Sequence, residues 1–233
     1  MTKQVKSKKR VADHGEVFTA EREVNAMLDL VKQETERIDS RFLEPACGDG
    51  NFLAEILRRK LAAAKKASIP PRRKTPLPYE YERNAVLAIS SIYGIDILQD
   101  NCEACRERMF QIWDKEYQAI CKKETNDDTR QSVMFILSRN IVCGNALSLM
   151  CVDSDGKDTS DPIIFSEWAF ITGEMMQRKD YTFAELVNTD EPKKKKNKKE
   201  QLSLFDDEET SPDEEGIFLN QYVANFRRLQ ENG

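Results

Sequence analysis

The sequence predicts an α/β domain in which a parallel sheet carries helices on its faces. Three observations lead there. Three short apolar runs, around Arg41–Leu43, Ser91–Ile97 and Asn140–Ala146, alternate with longer segments of helical period. Each run ends in a polar residue, Glu44, Asp96 or Asn145. The first run also passes through a loop of small residues, Pro45-Ala46-Cys47-Gly48-Asp49-Gly50, straight into an amphipathic helix. In open parallel sheets ligands bind beyond the carboxyl ends of the strands, so these three polar groups are expected to face one crevice.

The elements follow in order. Residues 1–10 hold five cationic side chains and no apolar pattern beyond Val5, which reads as a flexible basic arm. Gly15 to Thr19 is an extended or turning entry. Thr19 suits the N-cap of a helix from about Ala20 to Gln33, whose Val24, Met27, Leu28 and Val31 share one face. In the glycine loop there is little side-chain bulk, so a ligand can approach the backbone. Asn51 is placed to cap the next helix, over 51–67, with Phe52, Leu53, Ile56 and Leu57 on its inner side. The loop is neither the GxGxxG dinucleotide fingerprint nor a phosphate-binding P-loop. On its own it fits either a cofactor turn or a tight turn with no ligand.

The four prolines and the cations of Ser68–Asn84 predict an exposed loop. A helix is expected to begin near Asn84, before the second strand. Gln99–Lys123 reads as a helix with Cys102, Cys105, Met109, Ile112 and Trp113 along one side. Thr125–Arg130 is a polar turn, and Val133–Leu137 a short helix. Beyond the third strand, Ile163–Phe170 is apolar enough for another strand. Gly173–Lys179 looks helical, and Phe183–Val187 is a short apolar run.

Composition narrows the function. The chain has 233 residues, enough for one α/β domain with appendages. A net charge of −5 argues against a protein that grips nucleic acid alone over a broad surface, since phosphate contacts need a cationic face. No apolar run is long enough to span a bilayer, and no signal region follows the N-terminal charges. The six cysteines then read as reduced cytosolic thiols, and a cytoplasmic location follows. Cys102-x-x-Cys105 has no second ligand pair and the chain has one histidine, His14, so no metal site is assigned.

These residues resemble the S-adenosylmethionine-binding half of class I DNA methyltransferases, specifically the adenine-N6 enzymes of restriction-modification systems. The resemblance covers about 11–150. Glu16-Val17-Phe18-Thr19-Ala20 resembles the segment before the first strand, with Ala20 where the family has proline. Leu43–Leu53 is similar to the cofactor loop and is the most specific signal. Ile92–Ile97 resembles the second strand. Ile141–Leu147 resembles the third, where the family prefers aspartate after the glycine and this chain has Asn145. The resemblance implies a Rossmann-like class I methyltransferase fold and S-adenosylmethionine as cofactor. It implies that Gly48 and its small neighbours Pro45 and Ala46 admit the methionine part of that cofactor, with Phe18 and Thr19 bordering that end, Asp96 on the ribose hydroxyls, Ile97 against the adenine and Asn145 on its amino group, with Glu44 and Ala146 also among the cofactor-binding residues.

Family members hold the flipped base with Asp, Asn or Ser, then Pro-Pro, then an aromatic, and no such tetrapeptide occurs here. The nearest string is Asp161-Pro162-Ile163-Ile164-Phe165. The expectation is therefore a split adenine-specific DNA methyltransferase, inactive as an isolated chain. A partner would carry the NPPY-type motif and DNA recognition, and double-stranded DNA would be met through the complex. The sheet would be incomplete without that partner, leaving an exposed edge or apolar patch. A complete methyltransferase for another substrate and a non-catalytic scaffold remain the alternatives. The expected domain spans 11–187. A charged linker over 188–215 follows, and its Gln201-Leu202-Ser203-Leu204-Phe205 resembles sliding-clamp-binding peptides, although it also suits packing on its own domain. The last segment, Gly216–Gln230, has the period of an amphipathic helix.

Overall fold

The computed structural model describes Arg10, residues 19–187 and residues 218–232. Phe18, most of the basic arm, and the linker with its Gln201–Phe205 segment lie outside the described residues. The core of the fold is the expected parallel sheet. Strands β1 (Phe42–Glu44), β2 (Ile92–Asp96) and β3 (Ile141–Asn145) lie side by side in chain order. Phe42 pairs with Ile92 and Gly94 with Ile141, both in parallel register. A hairpin of β4 (Met150–Val152) and β5 (Asp158–Pro162) extends the sheet antiparallel beyond β3.

Helices fill one side. Helix α1 (Glu21–Leu30) leads through the short α2 (Lys32–Thr35) to β1, and α3 (Asn51–Ala67) follows the glycine loop. Helices α4 (Pro78–Ser90) and α5 (Gln99–Cys121) flank β2, and α6 (Asp127–Asn140) precedes β3. Leu53, Leu57 and Leu61 of α3 join Ile89 of α4, Met109 and Trp113 of α5, Ile136 of α6 and Ile92 in one buried cluster. Successive β2 residues point to opposite faces. Tyr93 and Ile95 therefore enter a second cluster with Ile163, Phe165 and Phe183. Burial on both faces is what a parallel strand requires.

Helix α4 begins earlier than expected. The proline-rich stretch ends at Pro78, which occupies the first turn of α4, where a missing N–H costs nothing. Tyr81 and Glu82, read as part of an exposed loop, are buried. Likewise α6 starts at Asp127, because the Asn126 side chain accepts the Asp128 N–H at 2.7 Å and caps it. Thr19 does not cap α1: Ala20 occupies that position and makes no side-chain bond.

A second sheet packs at the lower end of these helices. It consists of β6 (Ile164–Phe170), β7 (Met175–Thr182) and β8 (Asn220–Asn225), all antiparallel, with a short helix α7 (Phe183–Val187) after β7. Two expectations fail here. Gly173–Lys179 is not helical. Residues 176, 178 and 180 are buried in strand alternation, but two of those positions carry Arg178 and Asp180, which ion-pair at 3.2 Å. A charged pair on the inner face hides the apolar period from which strands are recognised. Nor do the described residues of the segment expected as an amphipathic helix over Gly216–Gln230 form one, since the edge of β7 captures Asn220–Asn225 as a strand and Leu229–Asn232 forms a 3-10 turn. Ladder bonds to an existing edge outweigh local helical period.

Two buried polar centres tie these parts together. The Lys60 ammonium donates to the carbonyls of Arg37, Ile38 and Ser40 and to the Ser91 hydroxyl, joining α3 to the starts of β1 and β2. Burial pushes its pKa down to about 8. The Glu82 carboxylate accepts from the Tyr117 and Thr129 hydroxyls, each at 2.7 Å, and from the Arg227 guanidinium. Glu82 thus links α4, α5 and α6 to the returning C-terminal segment. Replacing Glu82 by alanine strands two hydroxyl donors and Arg227, so Glu82→Ala is expected to lower unfolding free energy by about 3–5 kcal/mol. Urea denaturation of the variant against wild type measures this.

Candidate functional site

The chain conformation at the end of β1 depends on two glycines in the left-handed region. Gly48 has φ 54° and Gly50 has φ 87°. At Gly50 a Cβ would stand 2.6 Å from the Cys105 Sγ of α5, so this glycine also permits the close approach of helix and loop. Gly50 holds the N-cap position of α3 with no side-chain cap, and Asn51 is the first helical residue. The Asn51 amide turns outward. It donates weakly to the Thr19 carbonyl at 3.4 Å and accepts from Arg108 at 2.6 Å.

The loop is fastened to β2. Asp96 Oδ2 accepts the Gly48 N–H at 2.9 Å, while its Oδ1 accepts from the Leu98 N–H at 2.9 Å and the Asn101 amide at 3.2 Å. The Cys47 N–H donates to the Ile95 carbonyl at 2.9 Å, continuing the pairing one residue beyond β1. From α5, Arg108 grips the Asp49 carboxylate at 2.7 Å. Beneath the loop the Cys47 thiol meets that of Cys105. The hydrogen bond between them and burial together push the Cys47 pKa well up. Burial likewise raises the Cys102 thiol. These are inert packing thiols, not nucleophiles. Glu44 sits at the end of β1, its carboxyl raised by burial against an opposing hydrogen bond from the Ala46 backbone.

A cleft of about 480 Å³ opens above the carboxyl ends of β1, β2 and β3. Thr19, Glu44, Pro45, Ala46, Gly48, Asp96, Ile97, Asn145 and Ala146, every described residue expected at the site, all line it. Its size lies in the range of small-molecule sites, and the glycine loop leaves backbone open along one wall. A nucleoside-sized ligand with a polar tail fits that donor set: a carboxylate at the middle strand end, small residues beside it, and Ile97 as an apolar wall.

Sequence reasoning missed part of the site. Asn101 and Leu98 line the cleft, and Arg108 and Asp49 brace its loop. Arg108 follows Cys105 by three residues on the same helical side, a spacing that would have aimed it at the loop once the helix was placed. Arg10, assigned to the arm, ion-pairs with Asp100 beside the cleft at 2.6 Å. The string Asp161–Phe165 lies elsewhere. Ile163 packs under Gly144, and Phe165 is buried edge-on against Tyr93 and Phe183, so its ring has no face for a base. Among the described residues no cluster of His, Cys, Asp or Glu could hold a metal ion, and no helix is long and apolar enough to cross a membrane.

The family model for the MmeI DNA-methyltransferase domain matches residues 17–200, most of the chain. Comparison with curated proteins and with solved structures gives no significant match.

Gly50→Ala is expected to destabilise the protein by about 2–4 kcal/mol, combining left-handed strain with overpacking against Cys105, as read from the thermal midpoint. Alkali should also weaken the fold. Cys47, Cys102, Cys121, Cys143 and Cys151 all have raised pKa values, Cys121 to about 12, from an ordinary 9.0. Above pH 9 the unfolded thiols lose protons that the folded ones keep, so stability falls as pH rises. Lys60 acts in the opposite sense between about 8 and 10.5, but with one proton against five. Denaturation midpoints at pH 8 and pH 10 test the sign.

Proposed function

Because this chain belongs to the MmeI DNA-methyltransferase domain family, we propose that it is the S-adenosylmethionine-binding subunit of a split adenine-N6 methyltransferase of restriction-modification type. The observation that carries the reading is the single cleft in which the glycine loop, Asp96 and Asn145 meet. Gly48 and its small neighbours would admit the methionine portion of the cofactor along the backbone. Asp96, at the end of the middle strand, would accept from the ribose hydroxyls, and Ile97 would lie against the adenine. When bound, S-adenosylmethionine supplies a methyl group on a sulfonium, open to displacement by an amino nitrogen. The chain's part is to bind, orient and exclude water, which is where such a reaction gains most of its rate.

A second polypeptide supplies the base-holding motif and the DNA contacts. Three observations support this. The sequence contains no NPPY-type tetrapeptide, and the one aromatic of the nearest string, Phe165, is buried in the core. Among the described residues β1 has no neighbour on its outer edge. Beside that edge Leu43 is 42% exposed, next to a groove of about 280 Å³ lined by Leu43, Phe165, Phe183, Leu186 and Val187. A parallel strand with an open edge and an uncovered apolar side chain suits completion by another chain.

Calorimetry should show S-adenosylmethionine binding by the isolated chain, weakened about tenfold or more in Asp96→Ala, equivalent to ~1.4 kcal/mol. No detectable binding would overturn the cofactor reading. DNA methylation should be absent for the chain alone and appear when the product of a neighbouring gene with an NPPY-type motif is added. Leu43→Lys should keep cofactor binding yet lose that restored methylation. Adenine methylation by the isolated chain would overturn the split.

A further inference from the structure

The end of the molecule farthest from the cleft carries cations that the fold leaves unbalanced. Helix α3 starts at the glycine loop and runs for 17 residues, so its last turn lies about 25 Å from the cleft. Lys65 and Lys66 are exposed there. The chain then leaves in a loop whose root is pinned. The Leu77 N–H donates to the Ser68 carbonyl at 2.9 Å, and the buried Ser68 hydroxyl accepts from the Asn84 amide at 3.0 Å. The exposed tip of that loop is Arg72-Arg73-Lys74. Helix α5 ends beside the loop, where the Cys121 thiol donates to the Pro78 carbonyl at 3.5 Å. Lys122 and Lys123, both exposed, follow at once.

Among the described residues none of these seven cations forms an ion pair. By contrast Arg59, Arg108, Arg130, Arg139, Arg178 and Arg227 each hold a carboxylate. Glu80, Glu116 and Glu124 lie toward the same end and are too few to balance it. The chain as a whole has a net charge of −5, so the excess is local. Two of the cations also occupy backbone that favours glycine, Arg72 with φ 73° and Lys122 with φ 52°. The lysines complement the carboxyl ends of α3 and α5, but that effect fades within a turn and does not reach the loop tip. Like-charge repulsion and left-handed backbone both cost stability, and a fold keeps such costs where binding offsets them.

We propose that this face binds duplex DNA through its phosphates, without reading sequence, at a site separate from the cleft. The chain belongs to a DNA-methyltransferase domain family, so duplex DNA is the polyanion this end would meet. Cations on three separate chain segments match an array of phosphates, about 3.4 Å apart along each strand, better than they match a single anion. The face and the cleft are at opposite ends of α3, so the duplex held here is not the stretch whose base enters the cleft. A partner's contacts present the target base, and this face adds a contact of the chain's own. The proposal does not depend on the cofactor reading.

The test is fluorescence anisotropy of the full chain with a short labelled duplex of arbitrary sequence. Binding should appear at about 50 mM salt and weaken steeply by about 200 mM, as phosphate contacts do. The variant Arg72→Ala/Arg73→Ala/Lys74→Ala should bind about tenfold more weakly or worse, with the slope of log affinity against log salt about 2–3 shallower for three lost phosphate contacts. Its thermal midpoint should match wild type, which shows that it folds. Replacing Lys193, Lys194, Lys195 and Lys196 by alanine removes more charge from elsewhere in the chain and should leave most of the binding. No binding by wild type at low salt overturns the proposal. So does a loop variant that binds as wild type does, or binding lost only with the 193–196 lysines. A loop variant that keeps its duplex binding but blocks the methylation restored by a partner makes this face a protein contact, and that also overturns it. None of these results bears on S-adenosylmethionine binding, which calorimetry measures separately.

Discussion

The Asp96 carboxylate is the joint on which the upper half of the molecule turns. It takes the Gly48 N–H from the loop after β1, the Leu98 N–H at the start of α5, and the Asn101 amide one turn later. One side chain thereby sets the loop, the middle strand and the next helix in a common geometry. That geometry can form only because the loop reaches Asp96 through left-handed glycine backbone and because α5 approaches a residue without a Cβ. Arg108 then braces the loop from outside through Asp49 and Asn51. The cleft is therefore largely preformed, and its small-residue wall follows from the same sterics that close the turn.

The lower half is organised by buried charge. Lys60 and Glu82 each satisfy several partners from separate elements, and neither stands in the cleft. Lys60 fixes where β1 begins. Glu82 draws Arg227 back across α4 and so decides where the C-terminal strand lands. Each is a specific polar centre that leaves stranded partners when one side chain is removed. The second sheet is attached through these contacts and through Trp168, whose indole donates to Asn140 at the foot of β3. Among the described residues the parallel sheet is covered on both faces, whereas β1 has no neighbour on its outer edge.

Much of this was legible in the chain. The alternation of strand and helix, the glycine loop and the polar ends of three strands are local signals, each carried by residues within a few positions of one another. They were enough for the α/β class, the parallel order and the lining of the cleft at Glu44, Asp96 and Asn145. What escaped were elements whose character depends on distant partners. Tyr81 and Glu82 lie among prolines and cations but are buried by α5 and the C-terminal segment. Arg178 and Asp180 sit inward in β7 because they neutralise one another. Tyr222 and Val223 have helical spacing yet add a strand to β7.

By itself, the sequence determined the fold class, the glycine loop after the first strand and the three polar strand ends around the cleft, because backbone sterics at Gly48 and Gly50 and the period of apolar side chains act over short range. Only the tertiary structure decided which atoms of those residues are free. The Asn145 oxygen accepts the Leu147 N–H of its own turn, its amide donates to Asp158 thirteen residues later, and the Asp96 carboxylate already holds three donors. Hydrogen-bond partners are chosen by distance and direction in space, and side chains remote in the chain supply them.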